Sequence, residues 1–255
     1  MRTQQRTRRM LALTLTAGLS LGLVSGSAQA GVLAEWTFDG GTAPSAISSE
    51  TDVESSIEVT PFTGGDPAGT VSYTNGPGGF DTAADFDPQV GLRSAPRSGT
   101  LTGLSALTVE AWVNLDESPS GAMNIFRKSA LWVGEENGGD AEDGYSFVLA
   151  NGKPVLRLGR DSSAANQADK DMATVVATNA IATGQWVHVA ATWDGGTGNL
   201  KLYVDGSEVT TQANQSFPTT LTGTLNDASN DGPASIGAID RGDGNFGQFF
   251  DGSID

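Results

Sequence analysis

A carboxylate and a large aromatic ring stand two positions apart in the segment ALTVEAWVNL, residues 106–115. Apolar residues alternate with other residues along this segment, which is typical of a half-buried β-strand. Glu110 and Trp112 are therefore expected to share the face opposite the apolar stripe. An indole ring can stack on a sugar ring while a neighbouring carboxylate accepts hydrogen bonds from the sugar hydroxyls. These two residues are the strongest candidates for a ligand-binding groove.

The same pair also has a purely structural interpretation. Large aromatic side chains on sheets are usually buried, so Trp112 would be covered by the long segment 40–103. Glu110 would then pair with an arginine such as Arg127 or Arg157. On sequence grounds alone the structural interpretation is favoured over ligand binding, and both stay open.

His188 is the only histidine of the chain and lies in the segment WVHVAATW, residues 186–193. Three roles are open to it: a packed residue beside Trp186, a groove residue that donates to a sugar hydroxyl, or a catalytic base. We favour packing, because no second histidine shares metal or proton chemistry and no motif supplies a nucleophile. His188 nevertheless remains a ligand-binding candidate beside Glu110 and Trp112.

Catalytic patterns are missing from the sequence. Retaining glycosidases hold two carboxylates about 5 Å apart, which on one strand requires acidic residues at alternate positions. Glu110 is the only acidic residue of its predicted strand, and the acidic segment GEENGGDAEDG, residues 134–144, is typical of a glycine-rich loop. We find no nucleophile elbow, zinc-protease motif or phosphate loop. The sequence names no catalytic residue, leaves enzyme activity uncertain and favours its absence.

Strands and turns are predicted along most of the chain, with no convincing helix. The segment YSFVLANGKPVLRLG, residues 145–159, predicts a hairpin that turns at Asn151-Gly152. The segment 186–211 predicts two more strands, joined by the turn DGGTGN, and a further turn at Asp205-Gly206. Alternation is weak between Asp39 and Thr100, where we expect short strands in long loops. The pattern predicts an all-β fold, a two-sheet antiparallel β-sandwich.

The first 30 residues predict a signal peptide, with four arginines, an apolar stretch from Leu11 to Val24 and Ala28-Gln29-Ala30 before the cleavage site. We expect an exported protein, whether secreted, periplasmic or on the cell surface, with one domain over residues 31–255 and no membrane span. Losing the four arginines changes the formal net charge from -16 to -20, which disfavours nucleic acid as a partner. The chain contains no cysteine, so no disulfide holds the fold.

Four segments together resemble a known family: AEWTFDG, LTVEAWVN, GQWVHVAATWDGGTGNLKLYVDGSEV and SIGAIDRGDGNFGQFFDGSID. They are similar to the laminin-G-like jelly roll of the concanavalin A-like lectin and glucanase superfamily. The resemblance covers residues 33–39 and 104–255 and leaves 40–103 poorly matched. It implies two antiparallel sheets of six or seven strands each and a concave front face. It does not imply one function, because sugar binders, adhesion modules and glycosidases share the fold.

The resemblance also implies a structural calcium ion where the end of the first strand meets the last strand. The matching positions are Asp39 and Asp255, although Asp39 could equally just open the turn at Asp39-Gly40-Gly41. Two further loops, Arg241-Gly242-Asp243 and NDASNDG at residues 226–232, are less convincing as adhesion and calcium motifs. The resembled family continues beyond a DGSID segment with one more strand, so we expect the domain to be cut short before its last strand.

Taken together, these features predict a non-catalytic binding module for a polysaccharide, a glycan or another extracellular surface ligand such as a protein. One alternative is a glycosidase-related polysaccharide hydrolase whose acid and base lie on separate strands. Another is a purely structural protein of the cell surface or matrix. The sequence does not choose the ligand.

Overall fold

The fold is known from a computed structural model that describes residues 11–15, 31–64, 69–79, 81–95, 101, 103–129, 144–160, 171–213, 218–225, 233–240 and 246–255. The first ten strands are β1 (Leu11–Leu15), β2 (Gly31–Trp36), β3 (Glu50–Thr51), β4 (Glu58–Thr63), β5 (Val71–Asn75), β6 (Thr82–Phe86), β7 (Val90–Ser94), β8 (Ala106–Leu115), β9 (Ala122–Ser129) and β10 (Gly144–Ala150). The other ten are β11 (Lys153–Arg160), β12 (Asp171–Ala177), β13 (Val187–Asp194), β14 (Asn199–Val204), β15 (Ser207–Glu208), β16 (Thr211–Ala213), β17 (Ala234–Ile236), β18 (Ile239–Asp240), β19 (Phe246–Gly247) and β20 (Gly252–Ile254). One short 3-10 helix spans Pro77–Gly79.

Two large antiparallel sheets form a β-sandwich. Sheet A has nine strands in the order β15, β14, β13, β8, β20, β6 and β5, with β1 also beside β8 and β2 beside β1. Sheet B has nine strands in the order β16, β12, β11, β10, β9, β17, β7, β4 and β3, and β18 pairs with β19 in a separate ribbon. The predicted all-β jelly-roll sandwich is confirmed.

The core lies between the two sheets, where aromatic side chains of one sheet contact those of the other. Trp36 on β2 of sheet A packs on Phe126 on β9 of sheet B, with ring centroids 5.9 Å apart. Phe126 in turn stacks on Tyr145 at 5.9 Å. The apolar positions of β8 all face this core, because Leu107, Val109, Ala111, Val113 and Leu115 are at most 2% exposed. The period-two alternation predicted for residues 106–115 is therefore correct.

The predicted hairpins are also present. Ala150 pairs with Lys153 at the tip of the β10–β11 hairpin, and Asn151 and Gly152 both have a positive φ, of 49° and 75°. Asp205 and Gly206 repeat this geometry, with φ of 48° and 75° between β14 and β15. Two central residues with positive φ give the turn a twist that matches the twist of its strands, and asparagine, aspartate and glycine tolerate that φ best.

Residues 40–103 form short strands, as expected from the sequence, and these strands belong to both sheets. They hold β3, β4 and β7 in sheet B and β5 and β6 in sheet A, each two to six residues long. Tyr73 packs its ring against Gly41, where an added Cβ would lie 2.0 Å from the ring. Weak alternation in this region therefore reflects short strands that belong to both sheets, and it does not mean that regular structure is lacking.

Two separate pieces of chain lie end to end in one strand position of sheet A. Gly252 and Ile254 of β20 pair with Leu115 and Val113 of β8, while Ala12 and Thr14 of β1 pair with Glu110 and Thr108. In sheet A this shared position and the two-residue strand β15 bring the number of strands to nine, above the six or seven expected, and sheet B also has nine strands. No helix among the described residues is long and apolar enough to cross a membrane.

Candidate functional site

Polar and aromatic side chains line the face of sheet A that looks away from the core, which we call the front face. Glu110, Trp112 and Asn114 occupy the β8 positions between the buried core residues. On β13, His188 and Thr192 lie on this same face, because they pair with Trp112 and Thr108. The facing predicted for both strands from their alternation is correct.

The three sequence candidates come together on this face, and we call Glu110, Trp112 and His188 the Trp112 patch. The rings of Trp112 and His188 lie 5.2 Å apart between centroids and are tilted by 57°. His188 Nε2 is 3.5 Å from Glu110 Oε2. The side chains of His188 and Glu110 are 21% and 33% exposed, so both are accessible from solvent.

The backbone of His188 is fixed by the turn that follows β14. The His188 amide donates to Asp205 Oδ1 at 3.0 Å, and the Asp205 amide donates to the His188 carbonyl at 2.8 Å. His188 thus packs against Trp112 of the neighbouring strand. Because its side chain lies on the front face, it is also available to a ligand.

The proposed pairing of Glu110 with Arg127 or Arg157 is not what the structure shows. Arg127 and Arg157 lie on β9 and β11 of sheet B, whereas Glu110 lies on sheet A and contacts His188. The sequence alone could not predict that Glu110 and the two arginines lie on different sheets, because the order of strands in a sandwich depends on pairing between residues far apart in the chain. Trp112 is partly exposed, so the segment 40–103 does not bury it fully.

Tyr203 is a second aromatic residue on the front face that the sequence analysis did not single out. It pairs with Ala190, which itself pairs with Glu110, so the three residues form one row across β14, β13 and β8. Ala190, which has a small side chain, lies between Tyr203 and Glu110 in this row. The alternation of LKLYV would have found Tyr203, since Leu200 and Leu202 are its buried neighbours.

Acidic residues gather where β20 ends beside β8. Asp255 is held there by Trp112, whose amide donates to the Asp255 carbonyl at 2.7 Å and whose carbonyl accepts from the Asp255 amide at 2.9 Å. Asp39 lies close by, after β2, and its Oδ1 accepts from the Thr82 amide at 3.4 Å. Asp39 and Asp81 both lie near enough to Asp255 for their charges to act on its carboxyl group, so the two predicted calcium positions lie in one region together with Asp81, which the sequence analysis missed.

Burial and like charge disfavour ionisation of Asp255. Asp255 is 1% exposed, and its Oδ1 has no hydrogen-bond partner. Burial, followed by the negative charges of Asp39 and Asp81, raises the pKa of Asp255 to about 8. A buried carboxylate oxygen without a donor, next to two more carboxylates, is an environment that a cation would stabilise.

The acidic region is only a partial match to a metal site. Among the residues that the structure describes, no group of three or more Asp, Glu, His or Cys side chains is arranged to hold a metal ion. The Glu50 carboxylate, which lies near Asp39, already accepts a short hydrogen bond from the Tyr73 hydroxyl. Burial, outweighing that hydrogen bond, raises the Glu50 pKa, with a further contribution from Asp39.

Three loops considered in the sequence analysis cannot be placed. The segments 134–143, 226–232 and 241–243 lie outside the described residues.

Comparison with known proteins gives a family and several solved structures of similar architecture. Domain 4 of the GH43 extracellular arabinanase AbnA from Geobacillus stearothermophilus, in complex with arabinotriose, is 20% identical with a TM-score of 0.49, covering 80% of this chain and 83% of that one. The CBM40 of the Ruminococcus gnavus IT-sialidase, bound to alpha2,3 sialyllactose, is 16% identical with a TM-score of 0.46, covering 62% and 76%. Similarity at this level says nothing about which ligand this chain binds.

No curated protein matches the chain significantly. The laminin-G family model, described as concanavalin A-like lectin/glucanases superfamily, matches residues 91–255, which is more than half of the chain. The matched residues include β8, β13, β14 and β20, the strands that carry the Trp112 patch and Asp255. The chain therefore belongs to the concanavalin A-like lectin/glucanases superfamily.

Proposed function

We propose that this protein is an exported, non-catalytic module that binds carbohydrate through the Trp112 patch. The observation that carries this proposal is the partly exposed indole ring of Trp112, flanked on the front face by His188 and Glu110. An aromatic ring with hydrogen-bonding groups at its rim is the combination that recognises a sugar, because the ring packs on C–H groups while the polar groups bond the hydroxyls.

Each residue of the patch has a separate task in this proposal. Trp112 provides the stacking platform, and Glu110 accepts hydrogen bonds from hydroxyls of the bound sugar. His188 supports the tilt of the indole ring and offers a ring N–H to a further hydroxyl. Tyr203 lies one strand beyond Ala190 and would extend the contact to a second sugar unit.

The charge of the chain restricts the class of glycan. Without the four arginines of residues 1–30 the formal net charge changes from -16 to -20, so the exported protein repels polyanions over the range of a Debye length. We therefore propose a neutral polysaccharide or glycan in preference to a sulfated or uronic-acid polymer. An extracellular protein is the alternative ligand.

A glycan array tests the proposal, with neutral and acidic glycans on the same slide. Wild-type protein should bind a subset of the neutral glycans, and Trp112→Ala should lose this binding. Lys201→Ala is the matched control. Lys201 lies on the same face of β14 as Tyr203 but outside the Trp112 patch, and its side chain, which is 45% exposed, pairs with Glu208. A parallel hydrolysis assay on the bound glycans distinguishes the alternatives: turnover favours a hydrolase, and no binding at all favours a purely structural protein.

We further propose that calcium binds beside Asp39 and Asp255. Calcium prefers six to eight oxygen ligands, so these two carboxylates would supply charge while carbonyl oxygens and water complete the shell. Asp81 adds a third negative charge nearby, and the lone Oδ1 of Asp255 would gain a partner. The ion would stabilise the junction of β2 with β20 in a chain that has no disulfide.

Export is the remaining part of the proposal and rests on the sequence of residues 1–30. The mature protein would begin at Gly31 and reside outside the cytoplasm, secreted, periplasmic or on the cell surface. N-terminal sequencing of the exported protein tests this directly, and retention of Met1 in that material would contradict it.

A further inference from the structure

Ala190 occupies a front-face position of β13 that is surrounded by larger side chains. Across the sheet it pairs with Tyr203 on one side and with Glu110 on the other. Along β13 its neighbours on the same face are His188 and Thr192, each two residues away. The side chain of Ala190 ends at Cβ, so this position is lower than the four positions around it. We call this depression the Ala190 pocket.

The spacing of the strands sets the width of the Ala190 pocket. Neighbouring strands lie about 4.8 Å apart, so the backbones at Tyr203 and Glu110 are about 9.6 Å apart across β13. Side chains of a sheet stand roughly perpendicular to it, which leaves a gap about one side chain wide above Ala190. Ala190 is still 6% exposed, so a group of about the size of a water molecule reaches the bottom of the pocket.

The walls of the Ala190 pocket offer hydrogen bonds to a hydroxyl group. One wall is Glu110, whose side chain is 33% exposed and whose carboxylate accepts hydrogen bonds. The opposite wall is Tyr203, a half-buried residue whose phenol both donates and accepts. A short substituent that ends in a hydroxyl therefore fits the pocket in size and in polarity. A substituent that ends in a carboxylate does not fit, because it would lie beside the carboxylate of Glu110.

The Ala190 pocket borders the Trp112 patch. Ala190 pairs with Glu110, and Trp112 lies two residues further along β8 and pairs with His188. Diagonal neighbours of this kind lie about 7–8 Å apart in a sheet, within the reach of one sugar ring and its substituent. A sugar that stacks on the indole ring of Trp112 can therefore place one exocyclic group above Ala190.

We propose that the Ala190 pocket receives the exocyclic hydroxymethyl group of a neutral hexose unit that stacks on Trp112. The pocket then selects hexoses over pentoses, which have no such group and leave the pocket unfilled. It also selects them over uronic acids, which carry a carboxylate in the same place. This selection rests on the proposed carbohydrate binding and names the class of sugar that the Trp112 patch takes.

Sugars that differ only in this substituent test the selection. Three sets of soluble glycosides are titrated into the protein by calorimetry, built on glucose, galactose and mannose. Each set contains the hexose, the matching pentose (xylose, arabinose or lyxose, all as pyranosides) and the matching uronic acid. In at least one set the wild-type protein should bind the hexose about tenfold more tightly than the pentose, the usual effect of one missing group in a fitted pocket. The uronic acid of that set should bind more weakly still.

Filling the pocket should remove the preference without removing the sugar site. In Ala190→Val the extra methyl groups occupy the pocket, so affinity for the hexose should fall about tenfold while affinity for the pentose stays within twofold. Ala190→Ser adds a single atom and should give an intermediate preference, which keeps the test open if the valine variant does not fold. Ala106→Val is the matched control, because Ala106 lies at the far end of the same face, four residues before Glu110 on β8. It should keep the wild-type preference.

The outcomes separate this selection from carbohydrate binding in general. Loss of the hexose preference in Ala190→Val, with pentose binding retained, supports the Ala190 pocket, since a merely unfolded variant would lose both. Equal binding of hexose and pentose by the wild type, or an equal loss of both in Ala190→Val, overturns it. If Trp112→Ala still abolishes binding in that case, the carbohydrate site stands without the pocket. No binding in any set also overturns the selection, and the glycan array then decides the carbohydrate proposal by itself.

Discussion

Trp112 and His188 are direct partners across β8 and β13, with ring centroids 5.2 Å apart. Because the two rings touch, their contributions to stability should not be additive. In a double-mutant cycle with Trp112→Ala and His188→Ala, we expect a coupling free energy of about 0.5–1.5 kcal/mol in urea unfolding. Trp112→Ala with Thr192→Ala serves as the control pair and should be additive. Additive behaviour of both pairs would show that the ring contact contributes nothing to folding.

Carbohydrate affinity should depend on the indole ring more than on any charge of the front face. Trp112→Ala should weaken binding of a neutral polysaccharide about tenfold, equivalent to ~1.4 kcal/mol. Trp112→Phe should retain part of the affinity, since a smaller ring still stacks. Affinity electrophoresis with Lys201→Ala as control measures this. Unchanged retention of Trp112→Ala, with a melting temperature lowered by several degrees, would place the ring in the core instead.

Calcium should raise the melting temperature if Asp39 and Asp255 bind it. A ligand present at 100 times its dissociation constant stabilises the folded state by about 2.7 kcal/mol, which calorimetry detects easily. Magnesium should be less effective, because it demands octahedral geometry. Asp39→Asn should abolish the response, and Asp116→Asn, directly after β8, should leave it intact. Identical melting curves in chelator and in millimolar calcium would contradict the site.

Asp52 should make stability depend on acid pH. Burial raises its pKa, but hydrogen bonds from the Ser55 side chain and the amides of Ile57, Glu54 and Glu35 outweigh burial and lower it overall. A carboxyl with a lowered folded-state pKa stabilises the protein above its unfolded-state pKa, and this stability is lost as the pH falls through the folded-state value. The free energy of unfolding should therefore decrease below about pH 4.

Asp52→Asn isolates this contribution. The variant cannot accept all the bonds that the carboxylate accepts, so it should lose at least about 2 kcal/mol at pH 7. Its difference from wild type should shrink as the pH is lowered below 4. Urea titrations at several pH values measure both quantities, and a difference that stays constant with pH would rule out the ionised carboxylate as the cause.

Two adjacent glycines in the β13–β14 turn should differ sharply in tolerance. A Cβ on Gly195 would lie 2.0 Å from the Gly223 carbonyl oxygen and 2.6 Å from that of Ser105, whereas on Gly196 it would lie 3.2 Å from Asp194 Oδ1. Backbone atoms cannot move aside easily, so Gly195→Ala should cost about 1–3 kcal/mol or more. Gly196→Ala, the control, should cost far less. Equal melting temperatures of the two variants would contradict the close approach at Gly195.

Local patterns in the sequence were enough to predict individual strands and turns. The alternation in residues 106–115 placed Glu110 and Trp112 on one face, and Asn151-Gly152 marked a hairpin tip. These features depend on side chains and φ angles within a few residues, so they can be read without knowing the rest of the fold. The same pattern predicted a two-sheet sandwich, and the family resemblance then supplied the jelly-roll class and the expected nearness of Asp39 and Asp255.

The tertiary structure decided which strands became neighbours, and the sequence by itself did not. Pairing of β8 with β13 brought His188 onto Trp112, and the division into two sheets separated Glu110 from Arg127 and Arg157. Asp81 joined Asp39 and Asp255 from a loop outside any recognised motif. The placement of Leu11–Leu15 in line with β20 was equally unforeseen. The alternation of side chains and the type of turn depend only on residues that are close together in the chain, so the sequence by itself determined the strands and turns. Strand order depends on contacts between residues far apart in the chain, so only the tertiary structure decided which strands pair.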